Sequence, residues 1–288
     1  MGKVLQFLLR PLRDEQYLRA YWFKKFHRPL NLDTPRGLNE KTQWLKLYYH
    51  RPDLSGMVDK AEAKKYVAAI IGDKYIIPTY GVWDSFQDID FKTLPEKFVL
   101  KATNGGGNNG VVICRDKATF ERGKARRRLR SAMRHDIYKA YREWCYKGIK
   151  PRIIAEQLLE QEGGLKDYKF FCFNGKIATI LVCIGRKGHH TTKYYFSPDW
   201  KLQRFTKFTK ALPEDFTLPR PERLEEMLVL ASKLSKGFPF IRVDLYDTGE
   251  EVKFSELTFY TNSGYSAERF PEVDLWLGDQ LVLPEKIL

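Results

Sequence analysis

Two carboxylates sit where strand core would be expected. The stretch "FPFIRVDLYDTGEEVKFSELTFYTNSGY", residues 238 to 265, reads as two apolar strands around a turn, with Asp244 in one and Glu256 in the other. Side chains alternate faces along a strand. Arg242 and Asp244 therefore share one face, and Glu256 and Thr258 share one face of the second strand. A turn with an odd number of residues puts both pairs on the same side. Asp244 and Glu256 then become diagonal neighbours, roughly 7–8 Å apart at Cα. Carboxylates that close repel unless a cation lies between them. Hard oxygen ligands on a sheet suit Mg²⁺, and Arg242 beside them could clamp a phosphate or acyl phosphate. The bland alternative is a surface ion pair between Arg242 and Glu256.

Mg²⁺ usually arrives with phosphates, and "KATNGGGNNG" offers them a seat. Its backbone N–H groups carry few side chains that would block close approach. No Lys-Ser/Thr pair follows the last glycine, so this is not a P-loop. Lys101 precedes the loop, and Lys64 in "DKAEAKK" could add a second cation. "RIIAEQLLE" reads as a strand leaving a sheet edge. Its free backbone could match the adenine edge, with Leu158 and Leu159 around the ring. Asp167 could accept from ribose hydroxyls, and Lys169 could reach phosphate.

The elements that must hold these residues follow from periodicity. Residues 1 to 57 look helical, with Asp14 as N-cap of "DEQYLRAYWFKKF". That helix either lies solvated on the domain or rests on an anionic membrane surface. "DKAEAKKYVAAIIG" is a helix ending at Gly72. "KFVLKAT" and "VVICRD" form a hairpin around the glycine-rich tip, and a second hairpin turns at Asn174-Gly175. Residues 117 to 147 read as a helical stretch with 11 Lys or Arg against 3 Asp or Glu. "RPERLEEMLVLASKLSKG" is an amphipathic helix with Pro221 in its first turn and Gly237 at its C-cap. A short helix follows Pro271. Antiparallel hairpins with few βαβ units make the class α+β.

Composition narrows the partners. The 288 residues carry 50 Lys+Arg against 36 Asp+Glu, a net charge of +14, which favours a polyanion. The basic stretch has no interleaved aromatics for base stacking, which argues against nucleic acid. Four scattered cysteines without a CxxC read as free thiols. No apolar run of about 18 residues is present, and "MGKVLQFLLRPLR" is too short for a signal peptide. The expected location is cytoplasmic, with peripheral contact at the inner membrane face as an option.

Taken in order, these parts resemble the ATP-grasp superfamily, and within it the TupA-like branch named for teichuronopeptide biosynthesis. The stretches that carry the resemblance are "LNEKTQWLKLY", "DKAEAKKYV", "IPTYGVWDS", "LPEKFVLKATNGGG", "YREWCYKGIKPRIIAEQLL", "DYKFFCFNGK" and the 238–264 hairpin. The resemblance implies two α+β subdomains that clasp ATP between antiparallel sheets. It divides the chain into a helical region 1–57, a lead-in 58–95, a small ATP-binding subdomain 96–158 and a catalytic subdomain 159–288. It implies ATP and Mg²⁺ as cofactors. Lys64 and Lys101 would bind phosphates, covered by Asn104, Gly105, Gly106 and Gly107. Glu156, Gln157, Leu158 and Leu159 would form the adenine hinge, with Asp167 and Lys169 at ribose or phosphate. Asp244, Glu256 and Thr258 would hold the metal, while Arg242, Lys101 and Lys169 would act on the transferring phosphoryl. Two departures stand out: Thr258 replaces the usual metal-ligating Asn, and the loop lacks the His-Gly-Ser-Gly of many relatives.

The expected activity is ATP-dependent joining of a carboxylate to an amine in cell-surface polysaccharide or peptide-polymer synthesis, on an acidic small-molecule or glycan substrate. A kinase acting on a sugar or glycan is the alternative enzyme. A non-catalytic basic module that binds polyanion or membrane is the alternative from another class.

Overall fold

Alternation along the strands builds two antiparallel sheets, each with one apolar face and one face that carries the charged residues. The computed structural model describes residues 8–105, 110–161, 164–185 and 191–288. The first sheet contains β1 (Thr79–Trp83), β2 (Phe98–Ala102), β3 (Val111–Cys114) and β4 (Ile153–Gln157), in the order β1-β4-β2-β3. The expected β2–β3 hairpin is present. Phe98, Leu100, Cys114, Ile153 and Ala155 form its apolar face, with Leu129 of the overlying helix and Ile89, Phe91 and Leu94.

The β4 strand does not lie at an edge, as the adenine reading required. It is hydrogen-bonded to β1 on one side and β2 on the other, and the Gln157 N–H donates to the Pro78 carbonyl at 3.0 Å. Only Leu158 and Leu159 leave the sheet. β1 falls in the expected lead-in 58–95, yet it is part of the same sheet as the strands of 96–158.

The second sheet comprises β5 (Lys166–Phe173), β6 (Lys176–Ile184), β7 (Thr192–Phe196), β8 (Leu202–Gln203), β9 (Ile241–Asp247) and β10 (Val252–Thr258), in the order β10-β9-β5-β6-β7-β8. Asn174 (φ 46°) and Gly175 (φ 84°) connect β5 to β6. Both central residues are left-handed, as a two-residue hairpin demands. The apolar face of this sheet, with Phe170, Ile180, Val243 and Leu257, belongs to the main core.

Helices close the structure: α1 (Asp14–Phe26), α2 (Leu38–Tyr48), α3 (Leu54–Val58), α4 (Glu62–Ile71), α5 (Arg122–Met133), α6 (Ile137–Tyr141), α7 (Lys207–Lys210), α8 (Leu224–Ser235) and α9 (Pro271–Gln280). Leu224, Met227, Leu230, Ala231 and Leu234 turn one stripe of α8 into the core. Pro221 lies ahead of this helix, whose N-cap is Arg223, while Gly237 takes φ 78° just beyond its end. In α1, Asp14 is the first helical residue and Arg13 stands at the cap. Tyr17, Leu18 and Trp22 are fully buried, so the apolar face offered to a bilayer is covered by the chain itself. The basic stretch 117–147 is not one helix. Asp136 caps a new helix by accepting from the Lys139 N–H at 2.9 Å, and Arg142 ends it at φ 57°. Among the described residues, no helix is long and apolar enough to cross a membrane. None of the four cysteines is in a disulfide, and all are buried.

Candidate active site

The register of β9 and β10 decides whether the two carboxylates meet. Four residues connect the strands, and simple continuation would set Ser255 opposite Asp244. Instead the register shifts between Phe254 and Glu256, which brings Glu256 opposite Asp244 and Thr258 opposite Arg242. One extra residue flips every later side chain to the other face. The carboxylates are thus directly opposed rather than diagonal, and a bulge rather than an odd turn puts them there. On the other side of β9, Lys169 lies opposite Asp244.

A cation does lie between the carboxylates, and it belongs to Arg242. Its Nε donates to Asp244 Oδ1 at 2.7 Å and its Nη2 to Asp244 Oδ2 at 2.7 Å. The same Nη2 reaches Glu256 Oε1 at 2.8 Å and Thr258 Oγ1 at 3.0 Å. Nη1 reaches Thr261 Oγ1 at 3.3 Å. Lys169 pairs with Asp167 at 2.7 Å and also with Asp244. The expected phosphate clamp is therefore engaged with the acids in this state, because buried like charges demand a counter-charge. Burial pushes the Asp244 carboxyl up to about 6, against the pull of Arg242 and Lys169. Burial would raise Glu256 too, but Lys169, Arg242 and Lys60 together hold it down at about 2.

The small sheet turns a different charge balance toward the same space. Glu156 is buried and takes Lys64 at 2.5 Å on one oxygen and Lys101 at 2.5 Å on the other. Burial would raise its pKa, but the two ammonium groups lower it. Its side chain is thus an anchor for the lysines rather than part of an adenine wall. Lys64 also donates to the Ile77 carbonyl and to Thr79 Oγ1, each at 2.7 Å. A cavity of about 620 Å³, lined in part by Lys64, Pro78, Thr79, Arg152 and Ile154, opens beside it. At the hinge positions, Gln157 is exposed and Leu158 and Leu159 are half-buried.

The sequence reading passed over Lys60. This half-buried lysine donates to the Gly105 carbonyl at the root of the glycine-rich loop. Burial lowers its pKa and Glu256 raises it. Glu256 also acts on Lys101, so the charged faces of the two sheets share one cleft. The clue was present in "DKAEAKK", where Lys60 lies one helical turn before Lys64. Asn104 faces away from the cleft, donating to the Met133 and His135 carbonyls at 3.4 and 3.3 Å. Gly106 and Gly107 lie outside the described residues.

Among the described residues, no group of three or more His, Cys, Asp or Glu side chains converges as a metal cage. The set that converges on Arg242 Nη2 is two carboxylates and a hydroxyl. Such a set fits Mg²⁺, which takes one or two carboxylates and completes its shell with phosphate and water.

Two antiparallel sheets with facing charged surfaces define an ATP-grasp fold. Over residues 40–282 the sequence matches the TupA-like ATP-grasp family, and the chain belongs to it. Curated proteins yield no match. Solved structures that share the fold include D-alanine-D-alanine ligase from Helicobacter pylori. It is 16% identical, with 86% of this chain and 71% of that one covered and a TM-score of 0.44. The L-amino acid ligase from Bacillus licheniformis is 15% identical, with 88% and 56% covered and a TM-score of 0.48. The ATP-grasp ligase PsnB is 11% identical, with a TM-score of 0.42; 81% of this chain is covered and the match spans 61% of PsnB.

Proposed function

We propose that the chain is an ATP- and Mg²⁺-dependent ligase that joins a carboxylate to an amine through an acyl phosphate. The observation that carries this reading is the pairing of two unlike clusters across one cleft. Around Glu156 two lysines meet one carboxylate, as a triphosphate requires, and on the large sheet Asp244, Glu256 and Thr258 converge on one guanidinium, an oxygen set that a divalent ion can take over. Lys60 and Lys101 would hold phosphates beneath the Asn104–Gly107 loop, with Lys64 and Glu156 keeping Lys101 in place. Gln157, Leu158 and Leu159 would meet adenine, and Asp167 with Lys169 would meet ribose or phosphate.

Asp244, Glu256 and Thr258 would hold Mg²⁺, which would supply neutralisation of phosphate charge. Arg242 and Lys169 add preorganised positive charge where negative charge develops during phosphoryl transfer. No protein nucleophile is required, since positioning and charge neutralisation carry such a transfer. The helix α5 holds six Lys or Arg and no acid, which supports an acidic acceptor such as a cell-surface polymer, or contact with an anionic membrane face.

The test is the product. Protein, ATP and Mg²⁺ are incubated with extracted acidic surface-polymer precursors and an amine mixture. Formation of ADP, free phosphate and a new amide mass supports the ligase. ADP with a phosphorylated sugar and no free phosphate replaces it with a kinase. No ATP turnover above that of Asp244→Asn rejects catalysis here.

A further inference from the structure

The motif "LNEKTQWLKLY" forms α2, yet its buried stripe is polar. Asn39, Gln43 and Lys46 share one face at helical spacing, and all are buried. Their partners lie on the turn that follows the acidic strand β10. Asn39 Nδ2 donates to the Ser266 carbonyl at 2.9 Å, and the Ser266 N–H donates to Asn39 Oδ1 at 3.1 Å. Gln43 Nε2 donates to the Ser263 and Gly264 carbonyls, each at 3.0 Å. Lys46 Nζ donates to the Ser263 carbonyl at 2.7 Å. Within this grip Asn262 and Ser263 take φ of 46° and 53°. Left-handed backbone is disfavoured at such residues, and it persists where surrounding contacts over-determine it. Gly264 completes the turn at φ 67°, and a Cβ there would come within 2.4 Å of Gln43.

The clamp presents the half-buried Ser263 hydroxyl to Glu143, which accepts its hydrogen bond through Oε1. Glu143 is only 7% exposed, and its Oε2 has no hydrogen-bond partner among the described residues. The corner that carries it is fixed by Arg142, which donates to the Arg10 and Leu12 carbonyls at 3.0 and 3.3 Å. Lys46 and Arg242 both act on the Glu143 carboxylate. Thr261, two residues before Ser263, accepts from Arg242. A buried acid with a free oxygen therefore lies at the margin of the acidic cluster, on a strained turn, next to a hydroxyl.

We infer that Glu143 and Ser263 form the seat for the ammonium group of the amine substrate. A carboxylate oxygen and a hydroxyl supply two acceptors, and a primary ammonium has three donors to place. The assignment of this ligand as substrate rests on the ligase reading; the existence of an ammonium site does not.

The probe is methylammonium chloride, with tetramethylammonium chloride, a cation lacking N–H donors, as the matched control. The unfolding midpoint is followed as each salt is raised at constant ionic strength with ADP and Mg²⁺ present. The expected result is a saturable rise with methylammonium alone, as binding to the native state requires. Glu143→Gln should abolish it, and Ser263→Ala should weaken the apparent affinity about 3- to 10-fold. ADP affinity should stay within about twofold in both variants, which also shows that they fold. Equal effects of the two salts, or a full response in Glu143→Gln, would overturn the inference. A wild-type protein that responds to methylammonium but does not bind ADP would sink the ligase reading and leave the ammonium site standing.

Discussion

The charged faces of the two sheets differ in composition and in how the charges are held. At the small sheet two ammonium groups, Lys101 of β2 and Lys64 of α4, share one carboxylate, Glu156, and a third lysine, Lys60, leans on the glycine-rich loop. On the large sheet Asp167, Asp244 and Glu256 gather around Arg242 and Lys169. On the proposed reading, one half gives positive charge to phosphates and the other gives oxygen to a metal. The lesson lies in that difference. Buried charge normally comes paired, so a lysine-rich wall facing an oxygen-rich one is what the proposed nucleotide and its metal would need.

The comparison breaks most severely if the small-sheet anchor is removed. Glu156→Gln leaves the half-buried Lys64 and Lys101 without their carboxylate. Breaking a buried pair from one side costs about 3–5 kcal/mol, which urea denaturation would register as a lower midpoint. On the large sheet, Asp244→Asn should lower ATP turnover by about 10²–10³-fold, the scale of losing one preorganised electrostatic element. That is measured as ADP release under saturating Mg²⁺. Lys60→Met sharpens the contrast, because it removes charge from the phosphate side alone. It should weaken ADP binding about tenfold, the scale of one charge-assisted hydrogen bond. Calorimetry would read this.

The smallest effect is in acid. The Glu256 carboxyl is lowered from 4.5 to about 2 in the fold. Its ionised form therefore contributes stability that is full above 4.5 and is lost as pH falls toward 2. Asp244, raised from 3.8 to about 6, works the other way between those values. Glu256→Gln should therefore flatten the loss of stability below pH 4.5, checked by denaturation midpoints between pH 3 and 6.

Much of this arrangement could be read in the residues alone. Alternation around Asp244 and Glu256 identified the hairpin, and the density of glycine after Lys101 identified the loop. The Ser255 bulge could not be read, because it adds one residue without a compositional signature and changes only the pairing. The role of Glu156 was hidden for another reason. Its partners lie 92 and 55 positions away in sequence, at Lys64 and Lys101, and a strand glutamate looks the same whether it faces adenine or an ammonium. The helix over 117–147 failed at Asp136, where a side chain competes for a backbone N–H and starts a new element. In α2 the helix was readable, but its buried polar face was not, since the turn it grips begins more than 200 residues later.

The most direct test is the Mg²⁺ dependence of nucleotide affinity. ADP is titrated into wild type and Glu256→Gln at rising Mg²⁺. Tighter ADP binding with added Mg²⁺ in wild type, and a flat response in the variant, is the expected result. ADP affinity that ignores Mg²⁺ in wild type, or rises equally in Glu256→Gln, would contradict a metal and a nucleotide meeting between these two walls.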